Sequence, residues 1–148
     1  MTLSCYTLRS TETDFAHCVA IRTAVFVDEQ HVPPDEELDD LDSTAMHVLA
    51  RLDEEPVGTA RLILESGVTA RIGRMAVLRA HRQSGIGSVM LQHLTDLAFL
   101  LGVRSLTLAG QLHAIPFYER HGFVARGEVF LDAGIEHRWM DKIIGRPR

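Results

Sequence analysis

Apolar residues recur along this chain in two rhythms, and each change of rhythm marks a new element. Residues 5–8 read as a short opening strand. Phe15, Cys18, Val19, Arg22, Val25 and Phe26 then return every three or four positions, the spacing of one helix face. Thr11, with Asp14 three residues on, resembles a weak capping box at the start of that helix. Arg22 is the exception on the stripe, because it falls on the same face as Phe15, Val19 and Phe26. Residues 46–52 and 57–64 read as two strands of a hairpin joined at Asp53-Glu54-Glu55-Pro56. Residues 70–78 are a third strand whose alternation breaks at Arg74 and Met75, as a bulge would make it do. Ile86, Val89, Met90, Leu94, Leu97 and Leu101 mark a long amphipathic helix stopped by Gly102. Residues 103–109 form an apolar strand of the buried kind, and 114–121 a short helix closed by Gly122. Residues 123–130 and 136–144 complete an antiparallel pair. The order β-α-loop-βββ-α-β-α-ββ predicts an α/β chain with a mixed sheet.

Residues 28–42 interrupt this regularity with charge. They hold Asp28, Glu29, Asp35, Glu36, Glu37, Asp39, Asp40 and Asp42, and no Lys or Arg lies between Arg22 and Arg51. Pro33 and Pro34 forbid a helix running straight through, so a loop with one short helix after it is expected. The segment reads either as a solvated acidic loop or as an acidic wall for a cationic substrate.

The 148 residues, with no repeat and no linker of low complexity, predict a single domain over 1–148. A chain of that length buries roughly 70% of its unfolded surface, enough for a core without disulfides or metal. Fifteen basic residues against twenty acidic ones leave a net charge of -5, which argues against nucleic acid as a partner. The apolar run at 97–101 is far shorter than the roughly 20 residues of a membrane span. The first ten residues lack the basic start and apolar core of a secretory signal. A cytoplasmic protein with reduced Cys5 and Cys18 is expected. The eight histidines show no HExxH pattern and the cysteines no C-x-x-C pair, so no metal site is expected.

The stretch Arg82-Gln83-Ser84-Gly85-Ile86-Gly87-Ser88 stands between a strand and the long helix. Such a turn gathers unpaired backbone N–H groups and the positive end of the helix dipole at one point, an anion site. Gly85 and Gly87 would let a phosphate approach the backbone, and Arg82 and the hydroxyls of Ser84 and Ser88 would add donors. The Walker pattern is absent, since Lys142 is the sole lysine, and Met90 stands where a dinucleotide fingerprint needs its third glycine.

Arg82-x-x-Gly85-x-Gly87 resembles the pyrophosphate-binding signature of the GNAT family of N-acetyltransferases. Gln111-x-x-Ala114-x-Pro116-Phe117-Tyr118-Glu119-Arg120-His121-Gly122-Phe123 is similar to that family's Asn-x-x-Ala…Tyr-x-x-x-Gly-Phe block. Val25-Phe26-Val27-Asp28-Glu29-Gln30, Ile72-Gly73-Arg74-Met75-Ala76-Val77 and residues 130–137 resemble its ElaA/YjcF-like branch. The resemblance implies the GNAT acyl-CoA N-acyltransferase fold. That fold has a mixed, mostly antiparallel sheet of about seven strands, a central parallel pair that splays, and about four flanking helices. It implies acetyl-CoA as co-substrate, with pantetheine against the backbone of Met75, Ala76 and Val77 and pyrophosphate on the N–H groups from Gln83 to Ser88. A backbone N–H near Val77 would polarise the thioester carbonyl. Tyr118 matches the family's general-acid tyrosine, with Phe117 beside it at the cofactor. Glu29 is a candidate base, seven residues beyond Arg22, and Arg22, Glu29 and His113 are candidate acceptor contacts. Gln111 departs from the family's asparagine by one methylene, which puts that residue's role in doubt. The implied partner is a small-molecule or peptide amine, and a homodimer is possible within the family.

Two other readings stand beside this one. Arg22-x-x-x-Phe26, Asp39-x-x-Asp42 and Arg61 also resemble acyl-homoserine-lactone synthases, which share the architecture. A CoA-binding regulatory module that has lost turnover would keep the same turn.

Overall fold

Residues 1–145 are described by a computed structural model. Seven strands form one sheet: β1 (Leu3–Leu8), β2 (Met46–Leu52), β3 (Glu55–Leu64), β4 (Thr69–Val77), β5 (Ser105–Gln111), β6 (Val124–Asp132) and β7 (Ile135–Ile143). Their spatial order is β1-β2-β3-β4-β5-β7-β6, and every neighbouring pair is antiparallel except β4 with β5. The helices are α1 (Phe15–Arg22), α2 (Pro34–Glu37), α3 (Ile86–Leu100) and α4 (Ile115–Arg120). None of the described helices is long and apolar enough to cross a membrane.

Strand alternation divides the core into two layers. Val48, Ala60, Leu62, Ile72, Leu106 and Leu108 meet Ile86, Met90, Leu91, Leu94 and Ala98 of α3 and Tyr118 of α4. Leu8, Leu49 and Ala76 meet Cys18 and Ile21 of α1 and Val25 beyond it. Val89 and Leu101, expected on the buried stripe, are instead exposed; Leu91 and Ala98 take those places. No capping box forms at α1, because the Asp14 carboxylate accepts from the Tyr6 hydroxyl at 2.6 Å.

The helix begun by α1 continues to Glu29, but over Thr23–Glu29 it widens into a π-helix. Pro34 then starts α2, and a 3-10 turn follows at Asp40–Ser43. These pieces fold the acidic segment inward. Arg22, 1% exposed, donates from Nε to Glu37 at 2.9 Å and from its two terminal nitrogens to Asp42 at 2.8 and 3.1 Å. Arg61 pairs with Asp39 and Asp42, and Arg74 with Glu37 and Asp39. Glu37 and Asp42 are therefore not a solvated loop: with the partly exposed Asp39 they neutralise the guanidinium groups of Arg22, Arg61 and Arg74.

The expected bulge is present. The three steps from Gly73 to Ala76 on β4 face only the two from Arg61 to Thr59 on β3, and Arg74 takes a φ of 52°. The extra residue reverses the faces: Ala70 and Ile72 point to the α3 layer, whereas Ala76 points to the α1 layer. β4 and β5 pair only from Thr69–Ser105 to Ile72–Leu108. Beyond that, β4 stays with β3 as far as Val77 and β5 stays with β7 as far as Gln111, so the sheet splits at its centre.

Candidate active site

The split opens into a cavity of about 600 Å3. Met75, Ala76 and Val77 form one wall, Leu108, Ala109 and Gln111 the other, and Tyr118 and His113 also line it. Past Ile72 the β5-facing backbone edge of β4 has no strand partner. A linear polar chain can therefore enter and pair with that edge as a strand would.

At one end of the split stands the turn before α3. Gly85 is the N-cap, with φ 87°, a conformation that costs any other residue strain. No side chain caps the helix, and its first-turn bond is Val89 N–H to the Gly85 carbonyl. The N–H groups of Gln83 to Ser88 thus have no backbone acceptor among the described residues. Six unpaired donors at the positive end of a 15-residue helix are suited to a pyrophosphate. The two glycines differ in purpose. Space around Gly85 is open, whereas a Cβ on Gly87 would stand 3.3 Å from Phe117, so Gly87 also makes room for the ring of Phe117.

Several expected site side chains are engaged elsewhere. Ser84 donates its hydroxyl to the His81 carbonyl, and Ser88 meets His121 Nε2 at 2.9 Å. Ile86 is buried in the core and offers only its N–H. Arg82 donates from Nε to the Val77 carbonyl at 2.9 Å, and its terminal nitrogens hold Glu29 at 3.0 and 2.7 Å, with Arg79 at 3.3 Å. Hydrogen bonding from Arg82 holds the Glu29 carboxyl below the usual range, with the charges of both arginines adding to it. That makes Glu29 a weak base, and it is absent from the cavity walls. Arg22 is a correction too: sealed between Glu37 and Asp42, it cannot touch an acceptor. Gln111 Nε2 donates to Gln30 at 3.0 Å, tying the tip of β5 to the end of the π-helix.

Tyr118 is 9% exposed, and burial pushes its phenol up to about 12. Its hydroxyl lies 3.6 Å from Met75 Sδ, so it keeps its proton and presents it beside the β4 wall. Beyond Tyr118 the cavity is lined by residues to which the sequence reading gave no part in the acetyltransferase site: Arg61, Arg71, Phe130, His137 and Trp139. His137 Nδ1 lies 2.7 Å from the Ile135 carbonyl, which can only accept, so Nδ1 carries a proton and Nε2 is the ring nitrogen left for another partner. Its pairing opposite Gln111 across β5 and β7 was the signal, legible only once the register is known.

A profile of the acetyltransferase (GNAT) family matches residues 12–123. The chain is 38% identical over 123 residues to the uncharacterized N-acetyltransferase YjcF of Bacillus subtilis, covering 82% of this chain and 87% of that one. Among solved structures, Escherichia coli ElaA superposes with a TM-score of 0.84 at 26% identity, over 95% of this chain and 99% of that one. An acyl-CoA N-acyltransferase from Pseudomonas aeruginosa gives 0.84 at 29% identity, over the same shares. The protein belongs to the GNAT acetyltransferase family, in its ElaA/YjcF-like part.

Proposed function

We propose that this protein moves the acetyl group of acetyl-CoA to a primary amine of a small molecule or peptide, by direct transfer while both substrates are bound. The observation that carries this reading is the split between β4 and β5, which joins the open N–H groups of residues 83–88 to a cavity holding a protonated tyrosine. Acetyl-CoA supplies the thioester. Its pyrophosphate fits the six N–H donors, and its pantetheine fits the unpaired edge at Met75, Ala76 and Val77, where a backbone N–H polarises the acetyl carbonyl. Arg82 takes part once Glu29 yields it.

An alkylammonium with a pKa of about 10.4 must lose a proton before it attacks. His137 takes it at Nε2. The C–N bond forms as the C–S bond breaks, and the sulfur, whose thiol has a pKa of about 8.5, receives the proton of Tyr118. The second proton from nitrogen restores the phenol, so one proton in all is released to His137.

The test is thermal stability titrated with acetyl-CoA, CoA and NADH, followed by CoA release with a panel of amines. A ligand at a hundred times its Kd stabilises by about 2.7 kcal/mol, a rise of roughly 5–10 °C, expected for acetyl-CoA and not for NADH. No rise at millimolar acetyl-CoA refutes the reading. A saturating rise without CoA release from any amine favours a binding module.

A further inference from the structure

Most of the charge on the cavity walls is already paired. Arg61 holds Asp39 and Asp42, Arg71 holds Glu65, Arg74 holds Glu37 and Asp39, and Arg82 holds Glu29. Two carboxylates on the same walls, Glu36 and Asp132, have no cation among the described residues; Arg74 reaches only the backbone carbonyl of Glu36. The spare charge of the cavity is therefore negative, which favours a cationic ligand over an anionic one.

The register of the last hairpin puts one of these carboxylates beside His137. β6 and β7 pair without a slip from Phe130–His137 to Asp132–Ile135. Alternation places these four residues on one face of the hairpin, and all four line the cavity, whereas Leu131 and Glu136 on the other face do not. They are the corners of one patch. Asp132 and His137 stand on its diagonal, with Cβ atoms roughly 7–8 Å apart.

His137 is 8% exposed, and its Nδ1 is given to the Ile135 carbonyl. Its Nε2 has no partner among the described residues. The side-chain nitrogens that lack a partner and are also sealed from solvent are Arg61 Nε and Arg71 Nε; His137 Nε2 is not one of them, so a ligand can reach it. The other two corners of the patch are apolar. Phe130 stacks on His137 with ring centres 5.8 Å apart and on Trp139 at 5.3 Å, and Ile135 lies opposite Asp132. Such a surface favours methylenes leaving water and a cation close to an aromatic face.

Resting on the transferase reading above, we infer that the acceptor is a linear diamine. Its reacting nitrogen sits at His137 Nε2, its second ammonium at Asp132, and the methylenes between them lie over Phe130 and Ile135.

Trp139 is the single tryptophan of the chain and lines the cavity against Phe130, so its emission reports occupancy without turnover. With CoA present, the protein is titrated with 1,4-diaminobutane, with 1-aminopentane, in which a methyl replaces the second ammonium, and with 5-aminopentanoate, in which a carboxylate replaces it. The diamine is expected to change the emission saturably and to bind about fivefold more tightly than 1-aminopentane, the upper end of what a solvent-facing ion pair contributes. 5-Aminopentanoate, with its carboxylate beside Asp132, is expected to bind more weakly than either. Asp132→Asn is expected to bring diamine and 1-aminopentane within about twofold of each other. Glu136→Gln makes the same change of charge on the other face of the hairpin and is expected to leave the gap as it was. The comparison of the three ligands on the unaltered protein stands even if a variant folds poorly.

Equal affinity of diamine and 1-aminopentane, no response of Trp139 to any of the three, persistence of the gap in Asp132→Asn, or its equal loss in Glu136→Gln overturns the inference. Acetyl-CoA stabilisation is measured on the same samples. If it persists, only the acceptor assignment has failed; if it is absent, the transferase reading has failed.

Discussion

Arg22→Ala is the substitution whose cost the structure defines most sharply. The guanidinium gives four hydrogen bonds: to Glu37 Oε2 at 2.9 Å, to the Glu37 carbonyl at 3.0 Å, and to the two Asp42 oxygens at 2.8 and 3.1 Å. Glu37 is 3% and Asp42 8% exposed, so water cannot replace what is lost. Glu37 would retain Arg74, and Asp42 would retain Arg61, but three carboxylates, two of them buried, would then face two guanidinium groups. Breaking a buried pair from one side costs about 3–5 kcal/mol. A domain of this size has about 5–15 kcal/mol in total, so the variant loses a large share of its stability. Its Tm falls by roughly 10 °C or more. Urea unfolding followed by circular dichroism measures this, and an unchanged m-value shows that the same surface unfolds. Arg22→Met restores the stem but not the charge and is expected to lose nearly as much. Arg22→Met with Asp42→Leu is expected to lose much less than the sum of the two single changes. A loss below about 1 kcal/mol for Arg22→Ala, or full additivity in the double variant, would show that the network does not hold this region together.

Tyr118→Phe is expected to lower kcat by about a hundredfold with little loss of stability, since its hydroxyl touches only Met75 Sδ; unchanged turnover would remove it from the chemistry. Because burial pushes its phenol up to about 12, no fall in rate from its ionisation is expected between pH 7 and 10. Glu29→Gln frees Arg82 and is expected to tighten acetyl-CoA severalfold at unchanged kcat; a collapse of kcat would restore Glu29 as the base. Burial alone would raise the Asp42 carboxyl, but the hydrogen bond and charge of Arg22, with Arg61, outweigh it and hold it below its ordinary 3.8. Its contribution to stability is therefore full above that value and is lost as pH falls through the lowered one, so acid melts should steepen below about pH 4 and flatten there in Asp42→Asn. Gly85→Ala meets no neighbour but forces a side chain to φ 87°, costing about 1–2 kcal/mol and weakening acetyl-CoA; equal stability of variant and parent would refute the strain argument.

The sequence carried the sheet well, because alternation and glycine stops are local signals. The bulge at Arg74 and Met75 announced itself as a break in that alternation, and the turn from Arg82 to Ser88 as a strand-to-helix junction rich in glycine. Residues 28–42 were misleading for a physical reason. Their partners Arg61 and Arg74 lie on strands far along the chain, so the charges looked unpaired until the fold closed. Spacing put Glu29 and Arg22 on one helix face by counting seven residues, but the π-helix turns more residues per revolution and carries Glu29 round to Arg82. The aromatic wall of the cavity was illegible for a related reason. Trp139, Phe130 and His137 come together through the pairing of β6 with β7, and that pairing slips between Arg126 and Phe130.

A sheet that splits in its middle has two borders more than its strand order suggests. Outer borders such as β6 expose their backbone to water, where any extended chain can find them. The inner ones, along β4 past Ile72 and β5 past Leu108, are recessed, and the Gln30–Gln111 pair spans the gap beside them. An empty split is nonetheless a row of unsatisfied donors and acceptors inviting an extended polypeptide, the same invitation that starts edge-to-edge aggregation. The protein should therefore be most soluble, and easiest to refold, when its own ligand fills the gap. Colloidal behaviour during purification becomes a measure of occupancy.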